Sequence, residues 1–315
     1  MASIGGTVAK PWRRGLLLGF VLALQWGCSR APESAHVPVY GDTPVIHAAP
    51  GSEWLLGVRL TRRPERFFEI YQPLVDDLNR DLAGARFRLD LSRSNAVFAD
   101  KLRHGRLQLA IANPYPAVRA LGHGYRIVAR IGAADATRGV IVVRRDSGLR
   151  DLSDLKGTAM SLRDRNSLGG VMLVRWMLRE HGIELARDLT VRGVGSGESA
   201  LLSVYYGRTP SGASTLSDWR AFQRTHRDSA ERMEARWQTS GLPGNALLLQ
   251  DSLPAHVVRH VRNWLLGLNR GPAGRALLAR LDTDRVDLAD ANSYASVRNF
   301  IRRYEAAFGS VEGEQ

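Results

Sequence analysis

Apolar and polar residues alternate along the chain with the periods of strands and helices. The run WLLGVRL at residues 54–60 has the length and apolar content of a buried strand. Apolar residues then recur every three or four positions from Phe67 to Leu82, the spacing of one helical face. Pro64 suits the first turn of that helix, Gly84 suits its end, and Pro73 predicts a kink within it. This region therefore predicts a strand, a loop and a helix.

The same succession of short apolar runs and amphipathic segments continues toward the C-terminus. Strands that alternate with helices predict α/β domains built on mainly parallel sheets. We expect two lobes, with residues 51–138 beginning the first and residues 139–238 forming the second. Residues 239–315 are expected to return to the first lobe and to add C-terminal helices. No internal sequence repeat relates the two lobes.

The N-terminal residues have the order of an export signal. Three basic residues and no acidic one precede an apolar stretch at residues 15–24. This stretch is shorter than the roughly 20 residues that a membrane-spanning helix needs. We therefore expect residues 1–27 to be a cleaved signal peptide, with a signal anchor as the alternative. Residues 28–50 are rich in Pro, Ser and Ala, which predicts a tether in front of the folded domain.

Cys28 is the single cysteine of the chain, which excludes an intrachain disulfide and a metal cluster of cysteines. Its position behind Gly27 resembles the lipobox of bacterial lipoproteins, which implies acylation and a lipid anchor to a membrane. Leu24 stands four positions before Cys28, whereas bacterial lipoproteins prefer a leucine three positions before the cysteine. Ordinary cleavage near an incidental cysteine is therefore the alternative. Ser29 favours the outer membrane in a double-membraned cell.

Charge and motifs narrow the function classes. The 315 residues carry a formal charge of +13, and cleavage before Cys28 leaves 41 basic against 31 acidic residues, or +10. The basic residues are scattered rather than arranged in a stripe, so nucleic acid is not an expected partner. No nucleophile elbow, HExxH helix or phosphate loop occurs, so an enzyme is the less favoured class. No cofactor or metal is expected, because the eight histidines show no metal-binding spacing.

The stretch SLRDRNSLGGVMLVRWMLREHG at residues 161–182 places a strand end, a turn and an amphipathic helix in one run. A helix N-terminus presents unpaired N–H groups and a positive dipole end, which together suit an anion. Gly169 and Gly170 permit close approach to the backbone, and Ser167 adds a hydroxyl donor beside Asn166. Capping of the helix by Ser167 or Asn166 is the structural alternative, and the two roles are compatible.

Four segments, in order, resemble signature segments of the phosphate/phosphite/phosphonate-binding proteins of bacterial ABC importers. They read FFEIYQPLVDDLNRDL, LQLAIANPYPAV, VIVVRRDSGLRDLSDLKGTAMSLRDRNSLGG and WQTSGLPGNALLL, and the similarity extends over residues 54–304. The resemblance implies a two-lobed type II periplasmic-binding fold of the α/β class, with a two-stranded hinge and a ligand cleft between the lobes. It also implies a monomeric periplasmic protein that binds a small phosphorus oxyanion and delivers it to an ABC permease. A receptor that signals to a separate membrane sensor is the alternative.

The chain departs from the family pattern at the turn, which typically reads Asp-Pro-x-Ser-Thr-Ser-Gly. Leu168 and Gly169 replace two hydroxyl donors, and Pro210 occupies the position of a family aspartate. A different small anion is therefore an alternative ligand. The resemblance also implies that Glu198 corresponds to an acid that binds an amino group of the ligand.

Two further positions are candidates for ligand contacts in the cleft. Tyr115 follows a predicted strand of the first lobe, and Arg62 lies with Arg63 just before the first helix. The structural alternatives are a packed tyrosine and solvated arginines.

Overall fold

The computed structural model describes residues 53–60, 64–82, 86–163 and 167–311. The predicted signal peptide, Cys28 and the tether lie outside the described residues, as do Arg62, Arg63 and Asn166. Within the described part of the chain, no helix combines the length and the apolar character that crossing a membrane requires.

Strands and helices alternate through most of the described chain, as the sequence pattern predicts. The strands are β1 (Glu53–Arg59), β2 (Arg86–Ser92), β3 (Leu109–Ala112), β4 (Tyr125–Ile131), β5 (Gly139–Arg144), β6 (Ala159–Leu162), β7 (Thr190–Gly193), β8 (Ser211–Thr215), β9 (Met233–Gln238), β10 (Asn245–Gln250) and β11 (Val286–Leu288). The α-helices are α1 (Pro64–Asn79), α2 (Asn95–Arg103), α3 (Pro114–Ala120), α4 (Val174–Glu180), α5 (Leu185–Asp188), α6 (Gly197–Tyr205), α7 (Leu216–Thr225), α8 (Arg227–Glu231), α9 (Ala255–Leu268), α10 (Gly271–Arg280) and α11 (Ala295–Phe308). A π-helical turn, Leu168–Leu173, leads directly into α4.

The strands form two sheets. The six-stranded sheet has the order β11-β4-β10-β3-β1-β2, and the five-stranded sheet has the order β7-β6-β8-β5-β9. All strands of the smaller sheet lie within residues 139–238, whereas the larger sheet combines strands that precede and follow this range. The α/β class is confirmed, while the exact limits of the lobes stay a prediction.

The expectation of mainly parallel sheets is wrong, because both sheets are mixed. β1 pairs parallel with β2 and β3, and β6 pairs parallel with β7 and β8. All other pairs are antiparallel, and they involve the strands next to the crossings between the lobes, together with β11. A chain that leaves one sheet and later returns to it inserts its returning strand, β10, against the direction of β3 and β4.

The larger sheet is covered by helices on both faces, which explains its nearly continuous apolar strands. In β10, Ala246 and Leu248 pack into one buried cluster, whereas Leu247 and Leu249 pack into another. The first cluster includes residues of α2, α3 and α11, and the second includes residues of α1, α9 and α10. Helix α1 begins at Pro64 and runs through Pro73 without a break, so the predicted helix is confirmed.

The chain passes between the lobes twice, and the two passing segments are hydrogen-bonded to each other. The Thr137 N–H donates to the Leu242 carbonyl oxygen and the Leu242 N–H donates to the Thr137 carbonyl oxygen, both at 2.9 Å. Nearby, the Gly139 N–H donates to Thr239 Oγ1, and the Thr239 N–H donates to the Gly139 carbonyl oxygen. These segments form the two-stranded hinge that the resemblance implies.

Candidate functional site: the cleft between the lobes

A cleft of about 920 Å³ lies between the two lobes. Its lining combines residues of the first lobe, such as Tyr71 and Asn113, with residues of the second, such as Arg163 and Ser217. The hinge contributes Thr137 and other residues. This volume lies in the range of known small-molecule sites, about 300–1,000 Å³. The cleft is therefore the candidate ligand site.

Three helical segments begin at the cleft. Asn113 and Pro114 at the start of α3 line it, as do Ser167 before the π-helical turn and the first turn of α7. Each start follows the carboxyl end of a strand, the edge of an open α/β sheet at which ligands bind. Because helix starts carry partial positive charge and unpaired N–H groups, the arrangement favours an anion.

The turn at Ser167 leaves backbone donors available. Ser167 Oγ accepts a hydrogen bond from the Gly170 N–H at 3.2 Å, which confirms a capping role for this serine. The Ser167 carbonyl oxygen accepts from both Val171 N and Met172 N at 3.0 Å, and the second of these bonds gives the turn its π-helical width. Among the described residues, no acceptor is bonded to the amides of Leu168 or Gly169, which precede the first bonded donor.

Gly169 and Gly170 are needed here for close packing. A Cβ on Gly169 would lie 3.2 Å from the Arg138 carbonyl oxygen and from Thr215 Cγ2. A Cβ on Gly170 would lie 3.0 Å from Arg163 Cδ and 3.1 Å from Ser167 Oγ. The start of the helix therefore lies directly against the hinge and against the side chain of Arg163. Ser167 and Gly169 line the cleft, and Gly170 lies immediately behind them.

Sequence reasoning missed Arg163 and Asp218, which form an ion pair in the cleft wall. Arg163 Nη1 donates to Asp218 Oδ2 at 2.6 Å, and the side chains are only 9% and 27% exposed. Ser214 Oγ also donates to Asp218 Oδ2, at 3.3 Å. The available signal was position, because Arg163 is the first residue after β6 and side chains at such strand ends face ligand sites in open α/β sheets.

The cleft carries both signs of charge rather than a purely positive lining. Its charged lining residues are Asp135, Arg138, Arg163, Asp218, Arg220, Arg224, Arg280, Asp282 and Asp284. The Arg138 guanidinium hydrogen-bonds to the Asp135 carboxylate and attracts it, which lowers the pKa of that carboxyl below its usual value. Directed donors, rather than net charge alone, must therefore select a ligand in this cleft.

Two predicted contacts do not line the cleft. Tyr115 is buried in a core cluster with the side chains of α2 and α11, because α3 turns its ring inward from the strand end. The Glu198 carboxylate is 62% exposed, accepts a hydrogen bond from His226 Nε2 at 2.8 Å and is not among the residues that line the cleft. Pro210 is exposed just before β8. The structure therefore brings Ser167, Gly169 and Gly170 together but separates Tyr115 and Glu198 from them.

Comparison with solved structures identifies the fold of this chain. The structure of PhnD1 from Prochlorococcus marinus in complex with methylphosphonate aligns with a TM-score of 0.73 and 15% identity, covering 80% of this chain and 98% of that one. A binding protein component of an ABC phosphonate transporter from Pseudomonas aeruginosa aligns with a TM-score of 0.72 and 16% identity, covering 82% of this chain and 89% of that one. These likenesses confirm the two-lobed periplasmic-binding fold.

A curated relative has a different role. The tetrathionate sensor histidine kinase TtrS of Salmonella typhimurium is 28% identical over 169 residues, which is 50% of this chain. The chain spans only 28% of the length of that kinase.

The family expected from the four sequence segments is confirmed by a match over most of the chain. Residues 56–294 match the family described as the periplasmic substrate-binding protein of phosphonate ABC transporters, which includes the hinge, the cleft and the Ser167 turn. The chain therefore belongs to the family of periplasmic substrate-binding proteins of phosphonate ABC transporters.

Proposed function

We propose that this protein binds a small phosphorus oxyanion, namely phosphate, phosphite or a phosphonate, in the cleft and delivers it to an ABC permease. The observation that carries the proposal is the start of the helix at Ser167, which lies against the hinge and whose Leu168 and Gly169 amides have no acceptor among the described residues. Methylphosphonate is bound by PhnD1, which has the same fold. Binding and release are the whole function, with no catalytic step.

The binding cycle follows from the position of the turn. Ser167 Oγ accepts from Gly170, so its own proton remains for donation to an oxyanion beside the two amides. A ligand that bridges both lobes stabilises the closed form and shifts the population toward it. We expect small-angle scattering to show compaction when a bound oxyanion is added. A profile that is unchanged at saturation would contradict a cleft that closes on its ligand.

The contribution of Ser167 can be separated from its capping role. Ser167→Ala should weaken oxyanion binding about ten- to hundredfold, because a hydrogen bond to a charged group is lost. The matched control is Ser196→Ala, since Ser196 caps α6 by accepting from Ser199 N at 3.0 Å and does not line the cleft. Both variants lose a cap of about 1 kcal/mol, so both should lower the melting temperature by only a few degrees.

Calorimetric titration with phosphate, phosphite, methylphosphonate and 2-aminoethylphosphonate provides the measurement. Binding of at least one of these to the parent supports the proposed function. Equal affinity of parent and Ser167→Ala would mean that Ser167 is only a cap. If the parent binds none of the four, the proposed ligand class is wrong.

The remaining sequence-based site predictions belong to this proposal. Asn166 and Arg62 stay predicted ligand contacts, whereas the positions of Tyr115 and Glu198 favour structural roles for these two. A lipid anchor on Cys28 would hold the protein at the periplasmic face of a membrane. Cys28→Ala should then release the protein from the membrane fraction, and a variant that still fractionates with membranes would contradict acylation.

The similarity to TtrS favours a second candidate function, that of a receptor which signals to a separate membrane sensor. Affinity purification of the tagged protein from detergent-solubilised membranes distinguishes the two functions, because a co-purifying permease supports delivery and a co-purifying kinase supports signalling. Tetrathionate should be included in the titrations. Binding of tetrathionate in preference to the phosphorus oxyanions would favour the receptor.

A further inference from the structure

Arg163 is an unusual residue to find in the wall of the cleft, because its charged side chain is only 9% exposed. Arginine is almost never buried unless it is paired. Here the pairing is partial. Nη1 donates to Asp218 Oδ2 at 2.6 Å, on one edge of the guanidinium. This leaves the opposite edge, formed by Nε and Nη2, for another acceptor.

The Nε donor on that edge is buried and has no hydrogen-bond partner among the described residues. A buried donor without an acceptor is destabilising, and an unpaired donor on a charged group is more so. In a cleft wall, such an atom is placed to bond to an acceptor that the described protein residues do not supply. The Nε–Nη2 edge carries two parallel N–H groups, which match two oxygens of one oxyanion.

Arg163 lies next to the Ser167 turn. The point at which a Cβ would stand on Gly170 is 3.0 Å from Arg163 Cδ and 3.1 Å from Ser167 Oγ, so the guanidinium stem and the serine hydroxyl approach the same spot. The turn has Leu168 and Gly169 where hydroxyl donors could have stood, and Leu168 is buried. A guanidinium beside the turn can supply the two missing donors from another direction.

We propose that Arg163 is a specificity-determining ligand contact whose Nε–Nη2 edge binds two oxygens of the oxyanion held at the Ser167 turn. The proposal rests on the proposed function and names the ligand class more closely, as an oxyanion with at least two unsubstituted oxygens on one centre. Asp218 is a positioning residue that holds the guanidinium through Nη1. Because Asp218 neutralises the charge of Arg163, the selection depends on the direction of the donors rather than on charge.

The test substitution replaces the planar guanidinium of Arg163 with an ammonium group and keeps the positive charge. Arg163→Lys should lower the affinity for the best-bound phosphorus oxyanion about 10- to 100-fold, because an ammonium cannot present two parallel donors. The matched control is Arg236→Lys in β9. Arg236 also pairs with an acid, Glu234, and has a buried Nε without a partner among the described residues, but it does not line the cleft. The control should bind like the parent.

A double-mutant cycle of Arg163 and Asp218 tests whether Asp218 acts by positioning the guanidinium. Asp218→Asn alone should weaken binding, and it should weaken binding much less when Arg163 is already lysine, because Asp218 acts through the guanidinium. A merely structural role for Asp218 would lower affinity equally in both backgrounds. Circular dichroism and melting curves identify variants that do not fold, and Arg163→Gln then serves as the second fork-deleting substitution.

The outcomes separate this inference from the proposed function. Calorimetry with phosphate, phosphite, methylphosphonate, 2-aminoethylphosphonate, sulfate and methanesulfonate gives the affinities. If the parent binds a phosphorus oxyanion and folded Arg163→Lys binds it equally well, the role of Arg163 is overturned while the function stands. If only sulfate or methanesulfonate binds and Arg163→Lys weakens it, the role of Arg163 is supported and the ligand of the proposed function is wrong. If the parent binds none of the six, both proposals are overturned.

Discussion

The two lobes meet in two regions that differ in chemistry. The cleft pair consists of Arg224 of α7 and Asp282 beyond α10, which line the cleft and are joined at 2.8 Å by exposed side chains. The aromatic seam consists of α4 packed on α11, where the Trp176 ring contacts the rings of Phe300 and Phe308. Phe300 is buried, and Trp176 and Phe308 are partly buried. Exposed ion pairs contribute about 0–1 kcal/mol, whereas aromatic contacts that bury apolar area contribute more.

This difference indicates which contacts change when the lobes move. An exposed pair can separate and re-form at little cost, since water and salt screen its charges. The seam is reinforced by Arg175, whose guanidinium lies 4.0 Å from the centre of the Phe308 ring, and by buried Met172 below it. We expect the seam to stay closed as a pivot while the cleft pair opens.

Leu168 belongs to both regions and gives a physical reason for the departure from the family turn. It lines the cleft, and it is also buried in the core cluster that contains Phe300 and Tyr304 of α11. A hydroxyl side chain at this position would lose those apolar contacts. The turn therefore contributes a pivot contact at a position where the family pattern given by the resemblance has a hydroxyl donor.

The largest expected effect concerns the seam. Met172→Ala should lower the free energy of unfolding by about 2–5 kcal/mol, because it leaves a cavity between the lobes. Urea denaturation measures the change. The control is Phe68→Ala, which removes a side chain of a residue that is 49% exposed and should have a small effect. Similar losses in the two variants would contradict a stabilising seam.

Adding a side-chain atom at Gly139, where the hinge contacts the helix that continues into α4, should have the next largest effect on stability. A Cβ on Gly139 would lie 2.3 Å from the Gly169 carbonyl oxygen and 2.7 Å from Val174 Cγ2. Gly139→Ala should therefore cost about 1–3 kcal/mol and weaken ligand binding, since the start of the helix must shift. Gly267→Ala in α9 meets no atom within 4 Å and should instead stabilise the protein by about 0.5–1 kcal/mol. Unfolding and titration of both variants provide the comparison.

The third prediction concerns the loss of stability at alkaline pH that results from the buried Tyr294. The Tyr294 hydroxyl donates to the Gly244 carbonyl oxygen at 2.9 Å, and burial raises the pKa of Tyr294 above its ordinary value. Above about pH 10 the unfolded tyrosine ionises while the folded one keeps its proton, so stability should fall as pH rises. Tyr294→Phe should cost about 0.5–1.5 kcal/mol at neutral pH and make this fall shallower.

The alkaline fall should not vanish in Tyr294→Phe. Burial also raises the pKa of Tyr125, to about 12, so this residue continues to contribute. Urea denaturation between pH 8 and pH 11 gives the two slopes. Parallel slopes for parent and variant would show that Tyr294 ionises equally in the folded and unfolded states.

Breaking the cleft pair should have the smallest effect on stability and a visible effect on shape. Arg224→Gln should change the free energy of unfolding by less than about 1 kcal/mol. Scattering of the ligand-free protein should nevertheless shift toward a more open form, and high salt should reproduce the shift in the parent. Arg66→Gln is the control, because Arg66 and Glu69 form an exposed pair within α1. Equal scattering profiles for the two variants would show that the cleft pair takes no part in closing the lobes.

The local pattern of apolar residues was sufficient to predict helices that have an apolar face of their own. The face of α1 that the spacing predicted is buried at Phe67, Ile70 and Leu74. Strand β9, by contrast, has little local signal, because Met233–Gln238 alternates weakly and is defined by its pairing with β5. The antiparallel pairs and the π-helical turn likewise depend on contacts that are distant in the sequence.

The sequence indicated only those parts of the candidate site that have a backbone signal. Ser167 and the two glycines stand out because capping and close approach have sequence signals. Arg163 and Asp218 are 55 residues apart, and nothing local marks them as partners. Tyr115 does not line the cleft, because Pro114 starts a helix directly after β3, which turns the ring into the core.

The route of the chain through the hinge has a consequence for synthesis. Residues 139–238 contain every strand of the smaller sheet, so this sheet is complete while the ribosome is still adding the rest. The larger sheet must wait for β10, which stands between β3 and β4 and bonds to both. A chain that stops before Asn245 therefore lacks the middle of its first lobe, and long-range closure of this kind slows folding. The order of synthesis therefore leaves β3 and β4 each with an unpaired edge until Asn245–Gln250 has been added.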